Sequence, residues 1–386
     1  MTEPASAIML DFALTTGLEP NGELPKRYLW TDAFAVCNFL SLYHKTDNPE
    51  WMDRALRLIH QVHHVLGKHR SDDPRTGWIS GLSAEGGEIH PTIGGLRIGK
   101  RLNERNFHEP YDERLEWDQD GQYFHYLTRW MHALACTSRV TGYPKFLRWA
   151  VELAGAAHAR FTYSPVSGGK KRMYWKMSID LSRPLVPSMG QHDPLDGYVT
   201  YRELQTASGG CPGQQQPSLL AFEIAEMADI CRGTYLPTAD PLGTGGLMID
   251  AARIGQIIIG NGCTLENLLL SVLDAAILGI GEFEKSRTVQ QPAGYRLAFR
   301  ELGLAIGLKG AAMLAGLIRE NPGDFAAAGV VEQKVDRLAG YLPLAGTIER
   351  FWMDERNQEP PAWTEHREIN LVMLATSLLP DEFLRI

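Results

Sequence analysis

The feature that most constrains the fold of this chain is the alternation of two kinds of helical segment. One kind is amphipathic, with Leu, Ile, Val and Ala along one stripe and charged side chains opposite, as in residues 50–68, 145–160, 218–232 and 264–284. The other kind opens with one or two polar turns and continues apolar on every side, which is typical of a helix enclosed by protein. Enclosed helices are expected to start near Trp30, Asp118, Asp196, Gly245, Tyr295 and Glu365.

This alternation predicts an all-α fold, a toroid of helical hairpins with enclosed helices in the inner ring and amphipathic helices outside. Because the enclosed helices carry polar residues at their N-terminal ends, we expect those ends to meet at one mouth and to form a pocket there. Residues 1–386 are expected to form a single domain. Two irregular insertions, residues 71–117 and 162–193, should form the mouth of the pocket.

The charge of the chain restricts its partners. The formal net charge is −8 and the sequence contains no run rich in Lys and Arg, which argues against a nucleic-acid or anionic-membrane surface. The apolar stretches at 268–280 and 302–318 contain Asp274 and Lys309, respectively, and are expected to be buried helices too short to span a membrane. A small molecule is therefore the expected partner, and a homo-oligomer is compatible with the sequence.

The cysteines and the first residues of the chain predict its compartment. An odd number of cysteines without CxxC spacing fits neither a disulfide framework nor a zinc ribbon, so reduced thiols are expected. They are Cys37, Cys136, Cys211, Cys231 and Cys263. The N-terminal segment lacks the basic region of a signal peptide, and we therefore expect a cytoplasmic protein.

The alternating hairpins resemble the (α/α)6 superfamily, which holds six-hairpin glycosidases and the N-acylglucosamine 2-epimerase-like sugar isomerases. The resemblance covers most of the chain as architecture, and it transfers no acid or base residue by motif. It implies an enzyme of carbohydrate metabolism, with a glycosidase or a sugar epimerase as the two forms that the superfamily offers.

The densest candidate site is the segment of residues 116–125. In a helix that starts near Asp118, the side chains of Asp118, Gln122 and His125 would lie along one stripe, surrounded by aromatic and apolar positions. Such a stripe is expected to face a cavity. The alternative is that Asp118 or Asp120 only caps the helix.

A second candidate is the segment with His192, Asp193 and Asp196, where Pro194 suits the first turn of a helix. Glycosidic cleavage needs two carboxyl groups on either side of the scissile bond, and Asp118 or Asp120 facing Asp193 or Asp196 would supply them. The alternative is that Asp193 or Asp196 is only an N-cap.

The other candidate substrate-binding residues lie at predicted helix mouths or on a predicted lid loop of residues 90–105. They are Trp30, Asp32, His90, Arg97, Trp117, Gln122, His125, Trp175, Asp196, Arg296, Arg300, His366 and Glu368. Aromatic faces stack on sugar rings but more often pack in cores, and arginines bind anionic groups but are also common in structural ion pairs.

The leading hypothesis is a glycoside hydrolase, with a catalytic group of Asp118, Asp120, His192 and Asp193. Paired histidines such as His125 and His192 would instead favour a sugar epimerase. Asp118 and Asp120 also partly resemble the Asp-rich motif of a terpene cyclase, which is a further alternative. A non-catalytic scaffold is expected if the acids at the mouth are all ion-paired. No cofactor or metal is expected, and the histidines at 60, 63, 64 and 69 are predicted to lie on a solvated face.

Overall fold

The computed structural model describes residues 2–19, 25–209, 219–261 and 265–386. Its helices, in chain order, are α1 (Thr2–Thr15), α2 (Leu29–Thr46), α3 (Pro49–Leu66), α4 (Ala84–Ile89), α5 (Glu113–Asp118), α6 (Phe124–Thr141), α7 (Pro144–Phe161), α8 (Asp193–Ala207), α9 (Ala221–Cys231), α10 (Pro241–Asn261), α11 (Glu266–Ser286), α12 (Ala298–Glu320), α13 (Ala328–Ala339), α14 (Leu342–Met353), α15 (Pro361–Thr364), α16 (Arg367–Leu378) and α17 (Asp381–Leu384). The short strands are β1 (Gln122–Tyr123), β2 (Thr162–Tyr163), β3 (Arg172–Met173), β4 (Lys176–Met177) and β5 (Pro184–Val186).

Six helices form a closed inner ring. Each of α2, α6, α8, α10, α12 and α16 packs against the next, and α16 packs back against α2. The outer helices α3, α7, α9, α11 and α13 each pack on the inner helix that precedes them, while α1 supplies the outer partner of α16. The all-α toroid predicted from the alternation of helices is therefore confirmed.

Inner and outer helices differ in the way the sequence predicts. The outer helix α3 starts at an Asn48 cap, whose side chain accepts a hydrogen bond from the backbone N–H of Glu50, and Pro49 occupies its first turn. Its buried residues follow a helical stripe that includes Trp51, Ala55 and Leu58. By contrast, residues 29–42 of the inner helix α2 are buried on every side. Burial all round explains why the inner helices are apolar beyond their first turns.

Glycines allow a close helix contact in the ring, between α10 and α12. A Cβ atom added at Gly245 would lie 2.2 Å from the backbone oxygen of Gly303, and one at Gly307 would lie 2.5 Å from the backbone oxygen of Gly245. Real side chains do not fit at such distances, so these positions require glycine for the two backbones to approach.

The apolar character of α10 and α12 comes from this enclosure. By length and composition, Pro241–Gly260 and Ala298–Glu320 could each cross a membrane. The apolar stretch 302–318 was expected to be too short for this, which is wrong because the helix that contains it has 23 residues. In both, 72% of the apolar window is buried inside the protein. The same apolar surface therefore packs in the core of the toroid.

The two insertions build small substructures beside the ring. Residues 71–117 contain α4 and all but the last residue of α5, and residues 162–193 contain most of the strands. Strand β4 pairs antiparallel with both β1 and β5, and β2 pairs antiparallel with β3. Among the cysteines, Cys37 and Cys136 are buried free thiols and Cys231 is a partly buried one, while Cys211 and Cys263 lie outside the described residues.

Candidate active site

One cavity of about 570 Å³ is enclosed by the N-terminal parts of all six inner helices. Each helix contributes to its wall: Trp30 and Phe34 from α2, His125 and Arg129 from α6, Asp193 and Asp196 from α8, Gly246 and Asp250 from α10, Phe299 and Arg300 from α12, and Ile369 and Met373 from α16. The six helices therefore start at the same end of the toroid, as the polar first turns predicted. The volume lies within the usual range for small-molecule sites.

The structure corrects the predicted start of one inner helix. Helix α6 begins at Phe124, because α5 ends at Asp118 and the chain then passes through β1. Gly121 has a φ of 149°, and a Cβ atom there would lie 2.7 Å from the backbone oxygen of Met177. The break at Gly121 removes Asp118 and Gln122 from the stripe, so only the residues from His125 onward keep the predicted helical spacing.

The two acids next to this break do not line the cavity in the described structure. Asp118 is exposed at the end of α5. Asp120 is completely buried, and its carboxylate accepts hydrogen bonds from Arg97 Nη1 at 2.6 Å and from the backbone N–H of Gly99 at 3.0 Å. Asp118 and Asp120, which the sequence predicted as catalytic acids of this pocket, therefore do not lie in its wall among the described residues.

Several predicted binding residues also have structural roles away from the cavity. Gln122 accepts a hydrogen bond from the backbone N–H of Leu96 and donates to the backbone oxygen of Ile179. Arg97 is the partner of Asp120, and His90 is bonded to Glu152 at 2.7 Å on the outside of the ring. Of the predicted lid loop, residues 90–105, only Lys100 reaches the cavity wall among the described residues.

Three more predicted residues lie outside the wall. Asp32 is buried 3.5 Å from Arg27, and burial raises the pKa of its carboxyl group to about 6. Arg296 forms a buried pair with Glu301, with nitrogen–oxygen distances of 2.6 and 2.8 Å. Glu368 is half-buried on α16. Desolvated charges next to an opposite charge are stable without a ligand, which favours the structural interpretation for both arginine pairs, Arg27–Asp32 and Arg296–Glu301.

The remaining predicted residues do meet at the cavity: Trp30, Trp117, His125, Trp175, His192, Asp193, Asp196, Arg300 and His366. Tryptophans of both insertions form an aromatic wall, in which the rings of Trp117 and Trp175 are 5.2 Å apart. The ring of Tyr123 is 5.0 Å from that of Trp175, and the His125 ring is nearly parallel to it at 6.4 Å. Flat aromatic faces of this kind can stack on a sugar ring.

Asp193 has the most unusual environment in the wall. Its Oδ1 lies 3.6 Å from Nδ1 of His125, and its Oδ2 has no hydrogen-bond partner within the described residues. Burial, and next the negative charge of Asp196, raise the pKa of the Asp193 carboxyl group from 3.8 to about 7. A Cβ atom at Gly190 would lie 2.5 Å from the Asp193 carboxyl carbon, so a glycine is needed to make room for this acid.

Two more carboxylates lie near Asp193. Asp196 accepts a hydrogen bond from Thr128 Oγ1 at 2.5 Å and lies 3.0 Å from Nη1 of Arg129, which holds it in an ion pair. Asp250 of α10 is buried, and desolvation followed by repulsion from Asp196 raises its pKa to about 7. The sequence pattern did not identify Asp250 as a site residue. The sequence feature that could have identified it is a single acid inside a mostly apolar helix. Burying a carboxyl group there costs folding free energy, so such an acid is a candidate for a function.

The cavity histidines differ in their hydrogen bonding. Nε2 of His192 lies 2.7 Å from the backbone oxygen of Leu236, which makes Nε2 the protonated nitrogen and leaves Nδ1 as an acceptor. Burial lowers the pKa of His192, and it lowers the pKa of His125 to about 4. Both rings are therefore neutral at pH 7. His366, in front of α16, packs its ring 5.5 Å from that of Phe299.

Solved structures with the same architecture come from two kinds of enzyme. The fold is similar to that of a GH76A alpha-1,6-mannanase from Salegentibacter sp. HEL1_6, with a TM-score of 0.54, 10% identity and coverage of 98% of this chain and 99% of that one. It is also similar to cellobiose 2-epimerase from Spirochaeta thermophila DSM 6192, with a TM-score of 0.51, 14% identity and coverage of 98% and 97%.

The chain has the (α/α)6 toroid fold. No family model and no curated protein sequence matches it. At such low identity the structural similarity defines the fold and leaves the choice of reaction to the residues in the cavity.

Those residues provide acid and base chemistry. Two carboxyl groups with raised pKa values, Asp193 and Asp250, lie near an ion-paired carboxylate and two neutral imidazoles. Catalytic groups work best when their pKa lies near the working pH, which both acids satisfy. Among the described residues, the one close group of three potential metal ligands is Cys37, His132 and Cys136, outside this wall.

Proposed function

We propose that this protein is a carbohydrate-active enzyme, and that its reaction is the hydrolysis of a glycosidic bond with Asp193 as the general acid. The observation that carries the proposal is the pair of buried acids, Asp193 and Asp250, whose pKa values are raised to about 7 in a cavity with an aromatic wall. Perturbed acids that converge in a cleft are typical of catalytic sites.

The roles follow from the charges. A carboxyl group with a pKa near 7 keeps its proton long enough at neutral pH to donate it to the leaving oxygen, and Asp193 has this property beside the open cavity. Asp250 is the candidate for the second carboxyl group, which acts as base or nucleophile. Burial raises the pKa of both acids first, and repulsion from Asp196, which lies 3.0 Å from Arg129, raises it further.

The aromatic wall supplies the binding surface. Trp117 and Trp175 come from the two insertions and lie on the same side of the cavity as His125. A sugar ring has apolar C–H faces that pack on indole rings, while its hydroxyl groups reach the polar side of the wall. This arrangement supports a substrate of one or a few sugar rings.

A sugar epimerase is the second candidate, and a specific observation favours it. His125, His192 and His366 all line the same cavity, and the lowered pKa values of the first two leave neutral imidazoles that accept protons. Epimerisation needs a base to remove a proton from the carbon next to a carbonyl group, and neutral histidine is suited to this step.

One experiment separates the candidates. The protein is incubated in D₂O with a panel of glycosides and free sugars, and the products are analysed for new reducing ends and for carbon-bound deuterium. A hydrolase releases reducing ends without carbon-bound deuterium, whereas an epimerase yields an epimer that carries it. Asp193→Asn should remove hydrolysis, and Asp118→Asn, which changes an exposed acid that does not line the cavity, is the matched control. If no sugar in the panel reacts and none binds, the carbohydrate proposal is wrong.

A further inference from the structure

Three side chains with metal-ligating atoms meet beneath the cavity, farther along α2 and α6 than the residues of these helices that line it. Cys37 comes from α2, and His132 and Cys136 come from α6. All three are buried, and one ligand atom of each lies within 4.8 Å of the others. The spacing of four residues places His132 and Cys136 on the same face of α6, toward Cys37.

The distance between two of the ligand atoms fits a tetrahedral site. Nε2 of His132 lies 3.4 Å from Sγ of Cys136. With a zinc–sulfur bond of about 2.3 Å and a zinc–nitrogen bond of about 2.0 Å, two ligands of a tetrahedral ion are roughly 3.5 Å apart. An ion could therefore enter with little movement of these two side chains.

The surroundings of His132 also suit a ligand. Its Nδ1 lies 2.7 Å from a carboxylate oxygen of Glu203, the contact that orients metal-bound imidazoles and leaves Nε2 to face the ion. Two backbone carbonyl groups lie next to the cluster: that of Phe383 is 2.9 Å from Nε2, and that of Glu382 is 3.3 Å from Sγ of Cys136. Either carbonyl oxygen is a candidate for the fourth ligand.

We propose that Cys37, His132 and Cys136 bind a thiophilic divalent ion of the Zn²⁺ type at a structural site. Binding replaces the two thiol protons and also the proton that Nε2 of His132 donates to the Phe383 carbonyl group, and it changes no oxidation state. Because two thiolates balance the charge of a divalent ion, the site adds no net charge to a buried region. The ion would link α2 and α6 next to α17, whose Phe383 forms part of the cavity floor.

The test uses the full chain, reduced and freed of metal with a chelator, and Co²⁺ as the spectroscopic probe. Co²⁺ is added to the native protein and, in a second preparation, during refolding, so that a buried site is reached in either case. We expect one equivalent of Co²⁺ per chain, with thiolate-to-cobalt charge-transfer absorption and the strong visible bands of tetrahedral cobalt. Zn²⁺ should displace it and raise the thermal midpoint.

The variants separate this site from adventitious binding. Cys37→Ser and Cys136→Ser should lose the charge-transfer band, whereas Cys231→Ser, which removes a free cysteine on α9, should keep it. Glu203→Gln should weaken affinity roughly ten- to a hundredfold, as loss of an orienting carboxylate does. The proposal would be overturned if the band is absent from both wild-type preparations or persists in Cys37→Ser. A Cys37–Cys136 disulfide in protein purified under reducing conditions would also overturn it. None of these results depends on the sugar chemistry of the cavity.

Discussion

Two groups of buried carboxylates lie at the same end of the toroid and differ in their counterions. Asp120 accepts a hydrogen bond from Arg97 at 2.6 Å, and Glu116 is bonded to Lys176 Nζ at 2.8 Å. Asp193 lacks such a cation: its Oδ2 has no hydrogen-bond partner in the described part of the chain, and its pKa is raised to about 7. Burial alone therefore does not mark a functional acid in this protein.

The free-energy balance explains the difference. A buried carboxylate is stable when an arginine or lysine offsets its desolvation. A buried carboxyl group without that partner responds by keeping its proton. The paired group around Asp120 holds the insertions to the ring, whereas the group around Asp193 and Asp250 retains the capacity to exchange protons.

The largest expected effect is on activity at Asp193. Asp193→Asn preserves shape and hydrogen bonding but cannot exchange a proton at neutral pH, so turnover of the true substrate should fall about 10²- to 10⁴-fold. The thermal midpoint should stay the same or rise, because the neutral amide removes repulsion from Asp196. Steady-state kinetics and a melting curve measure both. Unchanged turnover would remove Asp193 from the catalytic group.

The paired acid should behave in the opposite way. Asp120→Ala leaves the buried Arg97 without its carboxylate, so the free energy of unfolding should decrease by about 3–5 kcal/mol. Denaturant unfolding measures this change, and Asp118→Ala, at an exposed position, should stay within about 0.5 kcal/mol of wild type. A mild effect of Asp120→Ala would contradict the role assigned to the pair.

The pH dependence of stability sharpens the comparison. The pKa of Asp193 is higher in the folded state, about 7, than its usual 3.8, so the folded protein binds more protons between these values. Relative to Asp193→Asn, wild type should therefore be most stable below about pH 4 and should lose on the order of a few kcal/mol as the pH rises to about 7. Measuring the free energy of unfolding of both proteins across this pH range tests the prediction. Parallel profiles would show that the carboxyl group is not perturbed.

The smallest expected effect concerns the aromatic wall. Trp175→Ala removes a ring that packs near Tyr123 and His125, and it should raise KM roughly fivefold, which corresponds to about 1 kcal/mol of lost stacking. Because the ring does not exchange protons, kcat should change much less than in Asp193→Asn. A loss confined to kcat would place Trp175 in the chemistry and not in binding.

The sequence by itself determined the architecture. Apolar periodicity is a local property, and it distinguished the buried α2 from the amphipathic α3 and predicted that polar first turns would meet at one cavity. The segment with His192, Asp193 and Asp196 was found in the same way, because a proline and acids mark the start of a helix. Helical spacing was misleading where Gly121 interrupts the helix and detaches Asp118 from His125.

Only the tertiary structure decided which polar residues are partners. Arg97 and Asp120 are separated by 23 residues, and His132 and Glu203 by 71, so no local pattern shows that they are bonded. The choice between a catalytic and a structural carboxylate depends on whether a cation from a distant segment reaches it, within a few ångströms and away from water. That distance is set by the packing of the ring and its insertions, which is why Asp120 and Asp193 look alike in the sequence and differ in the fold.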